Sequence, residues 1–196
     1  NGKTIEITEG YECTPTTLNV AGEQEITVTY GGKTATFKVQ VEKITIDRAV
    51  IEFKDKEVIY NGQPQSIKVR GTLPEGVTVS YVLDEGINEA INVGEYRVTA
   101  KFAVDEDKYN PVEDMTATLK ILQANPIVNP KYDTETPIYV DGSLPEISLS
   151  EGDTEGTVRW DEYILEVGPK EYGWTFTPTD EVNYEIETGI VTFDVL

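Results

Sequence analysis

The chain has 196 residues, with 16 basic against 36 acidic side chains, no histidine, one cysteine and 38% hydrophobic content. A net charge of −20 repels phosphate backbones and anionic membrane surfaces, which argues against nucleic-acid and membrane-surface partners. No apolar run reaches the roughly 18 residues that span a bilayer, and without histidine there is no classical triad and no histidine-based zinc site.

The charge is uneven along the chain. Residues 1–43 carry 4 basic and 6 acidic side chains, residues 44–122 carry 9 and 14, and residues 123–196 carry 3 and 16. Acidic surfaces of this kind keep a protein soluble and discourage self-association. Cys13 has no partner for an internal disulfide and reads as a small buried hydrophobe. The usual inference from missing disulfides is a reducing compartment. Surface proteins of Gram-positive bacteria, however, often avoid cysteine altogether. The chain begins at Asn1 without methionine, as an excised piece of a longer chain would.

Strand patterns begin in the first segment. Ile26, Val28 and Tyr30 alternate with threonines, Gly31-Gly32 supplies a two-residue hairpin turn, and Ala35, Phe37, Val39 and Val41 alternate on the return. Residues 1–43 hold only about four strands, too few for a self-sufficient core. At about 2 kcal/mol per buried large side chain, the hairpin's apolar face does not offset the ordering entropy of the segment, so it needs a partner.

A second segment opens at Ile44. Ile44, Ile46 and Val50-Ile51-Glu52-Phe53 read as a strand with a bulge, followed by Val58-Ile59-Tyr60 and an Asn61-Gly62 turn. Ile67 and Val69, then Val77, Val79 and Tyr81, alternate around the turn Leu73-Pro74-Glu75-Gly76. One helical turn is conceivable over Leu83–Ala90, and no other stretch has helical periodicity. Tyr96, Val98, Ala100 and Phe102 form the next strand, and Met115, Ala117, Leu119 and Ile121 the last. Six or seven strands in 44–122 are the number expected of a small sandwich.

Gln123-Ala124-Asn125-Pro126 is a linker stiffened by Pro126 and Pro130. Residues 126–196 then repeat the plan. Gly142-Ser143-Leu144-Pro145 mirrors Gly71-Thr72-Leu73-Pro74, Val158 and Trp160 mirror Val79 and Tyr81, and the chain closes on Ile190–Val195.

Two motifs recur. A glycine turn feeding a strand appears as Asn19-Val20-Ala21-Gly22, as Asn92-Val93-Gly94, and more loosely as Val167-Gly168. The pattern Asp-x-x-x-Tyr appears as Asp105/Tyr109 and Asp180/Tyr184. In Ig-type sandwiches a tyrosine near this position forms a corner, its hydroxyl tied to the backbone, and recurrence favours such a structural role. A repeat of about 70 residues indicates an array of small β-modules.

Candidate sites are sparse. Metal candidates are Asp105, Asp107 and Asp180, in clusters that lack the spaced carboxylates of a calcium loop. Ligand candidates are Tyr132, Tyr139 and Tyr163, as a flat platform for sugar stacking. Trp160 and Trp174 fall in phase with core positions. Paired carboxylates alone would suit a glycosidase, but small sandwich repeats offer no large cleft. Enzyme activity and a cofactor are not expected.

Residues 1–41, with Leu18-Asn19-Val20-Ala21-Gly22 and Thr27–Phe37, resemble the C-terminal half of a bacterial Ig-like domain. Residues 44–122 resemble the MBG-type repeat modules of bacterial adhesins through Ile59-Tyr60-Asn61-Gly62, Leu73–Val77, Asn92–Tyr96 and Tyr109-Asn110. Residues 126–196 resemble a related repeat through Trp174–Asp180 and Asn183-Tyr184. The resemblance implies an all-β fold: tandem small antiparallel Ig-like sandwich modules, one partial (1–43) and two complete (44–122 and 126–196). A β-grasp-like module is the alternative for 44–122. It implies a structural stalk or spacer in a secreted or wall-attached bacterial surface protein, monomeric as part of a longer chain. The alternative is a module binding host or cell-wall glycan or glycoprotein. Such modules share no catalytic or ligand residues.

Overall fold

The computed structural model describes residues 4–84 and 86–196. The protein is all-β, built of small, mainly antiparallel sheets. One three-residue 3-10 turn, Arg48–Val50, is the single helical element among the described residues.

The first sheet has the order β1-β2-β3, with β1 Glu12–Thr14, β2 Gly22–Tyr30 and β3 Lys33–Val41. The expected hairpin forms with Tyr30 opposite Lys33, and Gly31 and Gly32 both take positive φ, 55° and 74°. That geometry matches the right-handed twist of the flanking strands and is costly for residues with a Cβ. Pairing of Ile26 with Phe37, Val28 with Ala35 and Val28 with Cys13 collects the apolar residues on one face. The threonines of the hairpin, Glu25 and Lys38 take the other, while Lys33 stands opposite Tyr30 at the turn. None of the described residues up to Glu42 is buried, and Tyr30 and Phe37 are about half exposed. Cys13 is only half-buried in this sheet, not the core residue expected.

The second sheet has the order β4-β7-β6-β5, from β4 Lys56–Ile59, β5 Thr78–Leu83, β6 Gly94–Ala103 and β7 Met115–Leu122. The alternation in β7 buries Ala117, Leu119 and Ile121, and in β6 Val98 and Ala100. The β4–β7 pair is parallel, a departure from a purely antiparallel sheet. A parallel partner requires a long crossover, and here β5 and β6 lie within it.

The stretch Val50–Phe53, read as a strand, is broken up. The Asp47 carboxylate accepts the Ala49 N–H at 2.9 Å and caps the 3-10 turn, leaving only Glu52 in a single bridge to Arg70. Ile67 and Val69 likewise lie between isolated bridges at Gln65 and Arg70 and belong to no ladder. Among the described residues this segment therefore has four regular strands, not six or seven. In the stretch Leu83–Ala90, Glu85 lies outside the described residues, and the Asp84 carbonyl accepts the Ile87 N–H at 3.1 Å.

The third sheet has the order β10-β9-β8, from β8 Gly156–Trp160, β9 Gly168–Pro178 and β10 Glu187–Val195. Strand β9 alternates cleanly, burying Tyr172, Trp174, Phe176 and Pro178.

The chain divides into two compact units. One comprises Asn1–Lys54, Lys68–Val82 and Thr99–Thr116, and the other Asp55–Ile67, Leu83–Val98 and Ala117–Leu196. In the first, Ile46, Ile51, Val77 and Tyr109 form the buried centre, with Leu73, Phe102 and Met115 against it. In the second, Ile138, Leu144, Leu165, Tyr172, Phe193 and Val195 do so, joined by Tyr132 and Trp160.

Cross-strand glycines make room for the large rings of β9. Gly189 stands opposite Trp174, and a methyl at Gly189 would overlap the indole. Rings covering a glycine across a ladder pin its register. Replacing Gly189 with alanine is expected to destabilise the second unit by about 1–3 kcal/mol, the usual cost of overpacking. Denaturant titration followed by tryptophan fluorescence measures it, and an unchanged midpoint would refute the close approach.

Candidate functional site

Two of the three predicted metal ligands, Asp105 and Asp180, are engaged within the protein. The Asp105 carboxylate accepts the Asp107 N–H at 3.1 Å and faces the Lys108 ammonium at 3.3 Å. Both Asp180 oxygens are used on Asn183: one accepts its main-chain N–H at 3.2 Å, the other its side-chain amide at 2.8 Å. Asp107 shares the Asp105 loop. No group of three acidic or thiol side chains positioned to hold a metal occurs among the described residues.

The structure does not bring the three tyrosines together. Tyr132 packs into the core against Trp160 and Phe193, each ring 5.7 Å away. Tyr163 packs edge-on against Tyr172, and its hydroxyl accepts the Leu144 N–H at 3.3 Å. Tyr139 is exposed. Trp174 is buried, and half-buried Trp160 donates its indole N–H to the Pro145 carbonyl at 2.7 Å. An open depression of about 770 Å³ is lined by Trp160, Asp161, Glu162, Tyr163 and Ile164.

The repeated motifs meet each other instead. Each Asp-x-x-x-Tyr segment is a tight turn: the Asp105 carbonyl accepts the Tyr109 N–H at 2.9 Å, and the Asp180 carbonyl accepts that of Tyr184 at 3.1 Å. The tyrosine backbone then pairs in parallel with the chain arriving from the preceding sheet. Past β3, the Ile44 N–H donates to the Lys108 carbonyl at 2.8 Å, and the Ile44 carbonyl accepts the Asn110 N–H at 2.9 Å. Past β7, the Ala124 N–H donates to the Asn183 carbonyl at 2.9 Å, and the Ala124 carbonyl accepts the Glu185 N–H at 3.0 Å. The two bridges, Ile44–Tyr109 and Ala124–Tyr184, have the same design. A tyrosine corner was the expectation. The tie observed here runs through the main chain on either side of the tyrosine, which lies beside an incoming strand end.

The glycine turns dock on these same segments. The Ala21 N–H donates to the Asp107 carbonyl at 2.8 Å. The Val93 N–H donates to the Asn183 side-chain oxygen at 2.8 Å, while the Asn183 amide also reaches the Asn92 side chain at 3.2 Å. Asn183 is 5% exposed, the one buried polar residue among those described. Gln123 donates its side-chain amide to the carbonyls of Glu181 at 2.9 Å and Tyr184 at 3.1 Å. Tyr60 meets the Tyr184 ring edge-on at 5.5 Å. The linker at Gln123–Pro126 is thus hydrogen-bonded as well as proline-stiffened. Sequence reading found both motifs but not their docking, and it gave Asn183 and Gln123 no role.

Family comparisons follow this geometry. Residues 2–41 match the bacterial Ig-like domain (group 3). Residues 49–125 match the MBG domain. These matches are to the same two types of module that the turn and strand motifs resemble. No curated protein matches the chain. A solved structure, "Protocadherin Gamma B2 extracellular cadherin domains 1-5", aligns over 97% of this chain and 52% of its own, at 11% identity and a TM-score of 0.29. The chain thus spans about half the length of that structure.

The Asn183 side chain makes three hydrogen bonds in a buried place, so Asn183→Ala leaves the Val93 N–H without its acceptor. A loss of about 1–3 kcal/mol is expected. Faster amide exchange at Val93, with β9 still protected, would locate the effect at the joint. Unchanged exchange at Val93 would show that the contact carries no weight.

A second electrostatic tie lies near Ile127. Burial works to raise the Asp153 pKa, but the Asn129 side chain and the Asn129 and Ser150 N–H groups outweigh it and hold the carboxyl below its usual value. Asp133 is lowered by the Thr136 hydroxyl and the N–H groups of Glu135 and Thr136. A depressed folded pKa gives stability that is present above the unfolded value and lost as pH falls through the folded one. Acid should therefore loosen the 129–153 loops below about pH 4. Amide exchange of Asn129 and Ser150 between pH 5 and pH 3, corrected for intrinsic rates, checks this. Constant protection would contradict it.

Proposed function

We propose that the chain is a run of spacer modules, 1–43, 44–122 and 126–196, in a bacterial surface protein of the adhesin type. Ig-like and MBG domains are typical of such extracellular proteins and are typically non-enzymatic. No helix among the described residues is long and apolar enough to cross a membrane.

The observation carrying this reading is the joint built twice to one pattern, with hydrogen bonds from both the glycine turn and the linker onto the next Asp-x-x-x-Tyr turn. A binding module needs a convergent ligand surface, whereas a spacer needs joints that resist bending. The side chains singled out for ligands are spent on packing or on main-chain contacts, except exposed Tyr139 and the partly exposed Tyr163.

A glycan- or glycoprotein-binding role is the second reading. It draws on the Trp160–Ile164 depression, where Tyr163 lies beside Asp161 and Glu162.

Single-molecule stretching tests the spacer. Unfolding of a 70-residue module should lengthen the chain in discrete steps of about 23 nm, following the reach of an extended backbone. Smooth extension without steps would overturn it. Saturable binding to immobilised glycans or glycoproteins, abolished by Tyr163→Ala, would favour the second reading.

A further inference from the structure

The third sheet ends in the same surface that the first two use for docking, and that surface is uncovered. In the first sheet the glycine of the turn, Gly22, pairs with Val41, and the residue before it, Ala21, donates to the next Asp-x-x-x-Tyr turn. In the third sheet Gly168 pairs with Val195, and the residue before it is Val167. The Val167 N–H has no hydrogen-bond partner among the described residues, and its side chain is 67% exposed.

The second sheet supplies the neighbouring positions. There the Leu122 carbonyl accepts the Tyr60 N–H at 2.9 Å, and Tyr60 presents its ring to Tyr184. In the third, the Leu196 carbonyl accepts the Val140 N–H at 3.0 Å, and the Leu196 N–H donates to the Ile138 carbonyl at 2.8 Å. Val140, Leu196 and the adjoining Tyr139 are all exposed. Three exposed apolar side chains thus lie at the strand ends next to an unpaired N–H, and the counterpart of Val140 in the second sheet, Tyr60, is the residue that packs on Tyr184.

We propose that this end of the third module is a docking surface for the Asp-x-x-x-Tyr turn of a further β-module arranged in tandem. Both such turns within this chain are already occupied, by Ala21 with Ile44 and by Val93 with Ala124, so a second copy of the chain offers no free one. The partner is therefore another module of this type. Recognition would use the Val167 N–H as donor, an oxygen of the incoming turn as acceptor, and the Tyr139, Val140 and Leu196 side chains as the apolar floor. The inference deepens the spacer reading and rests on it for the identity of the partner.

The test appends a second copy of residues 123–196 after Leu196 of the full chain, and compares it with the chain carrying an unstructured tail of equal length. The appended copy should slow amide exchange at Val167 at least roughly tenfold, as expected when a solvated N–H becomes a native hydrogen bond. Asn183→Ala confined to the appended copy should return Val167 to the rate seen with the tail. Equal Val167 exchange in the two fusions, or protection that survives Asn183→Ala, overturns the proposal. The amides of Ala21 and Val93 serve as the internal reference. If they stay protected while Val167 does not, docking fails and the spacer reading stands. If they too exchange freely, the joints are loose and both fall.

Discussion

The organising constraint in this protein is the pairing of backbone polar groups where the chain passes from one sheet to the next. A connection leaving a sheet loses its ladder partners, and each N–H and C=O must find another acceptor or donor or face solvent. Here both connections find partners at once. Ile44 and Ala124 each give and receive a main-chain hydrogen bond on either side of a tyrosine. The tyrosine lies in a turn closed by the aspartate four residues before it. An ordinary i-to-i+4 turn thereby becomes a short edge for strand addition, and the linker adds itself to that edge.

Asn183 makes the second joint more specific than the first. At the first, the acceptor for the glycine turn is the Asp107 carbonyl, which any residue could supply. At the second, the acceptor is a buried side chain held by the Asp180 carboxylate from one side and Asn92 from the other. Replacing such a group leaves several polar atoms unmatched, so the cost falls on geometry as well as energy. The Tyr60–Tyr184 contact then supplies apolar area that the small sheets otherwise lack.

Much of the fold was legible. The alternation in β7 appears in the structure with Ala117, Leu119 and Ile121 buried, and Trp174 of β9 is buried as its phase implied, since a period of two maps directly onto a half-buried ladder. Gly31-Gly32 reads as a primed turn and is one. Local side-chain chemistry overrode the pattern at Val50–Phe53, where the Asp47 cap competes with strand pairing, and the alternating residues Ile67 and Val69 were left without a ladder partner. The parallel β4–β7 pair was not legible, because periodicity says which face a residue takes and nothing about which strand lies alongside. The joints were half legible. Both motifs repeat visibly, but Val93 and Asn183 lie 90 residues apart, and no local signal states that one turn receives the other.

The packing of the candidate aromatic residues of the third sheet follows from the same physics. An aromatic ring carries a large apolar area, and its burial counts for most where the sheets are small. Tyr132, Trp160, Tyr172 and Phe193 accordingly form one cluster of edge-on and tilted rings inside the second unit. Carboxylates meet a similar fate: Asp105, Asp153 and Asp180 accept main-chain N–H groups of their own loops, and at Asp153 those hydrogen bonds hold the carboxyl below its usual value. Acidic side chains outnumber basic ones, and the net charge is −20. Such an excess disfavours association between copies, yet the docking contacts at both joints consist of uncharged amides, main-chain carbonyls and one ring pair. Charge repulsion therefore has no direct purchase on the groups that make the joints.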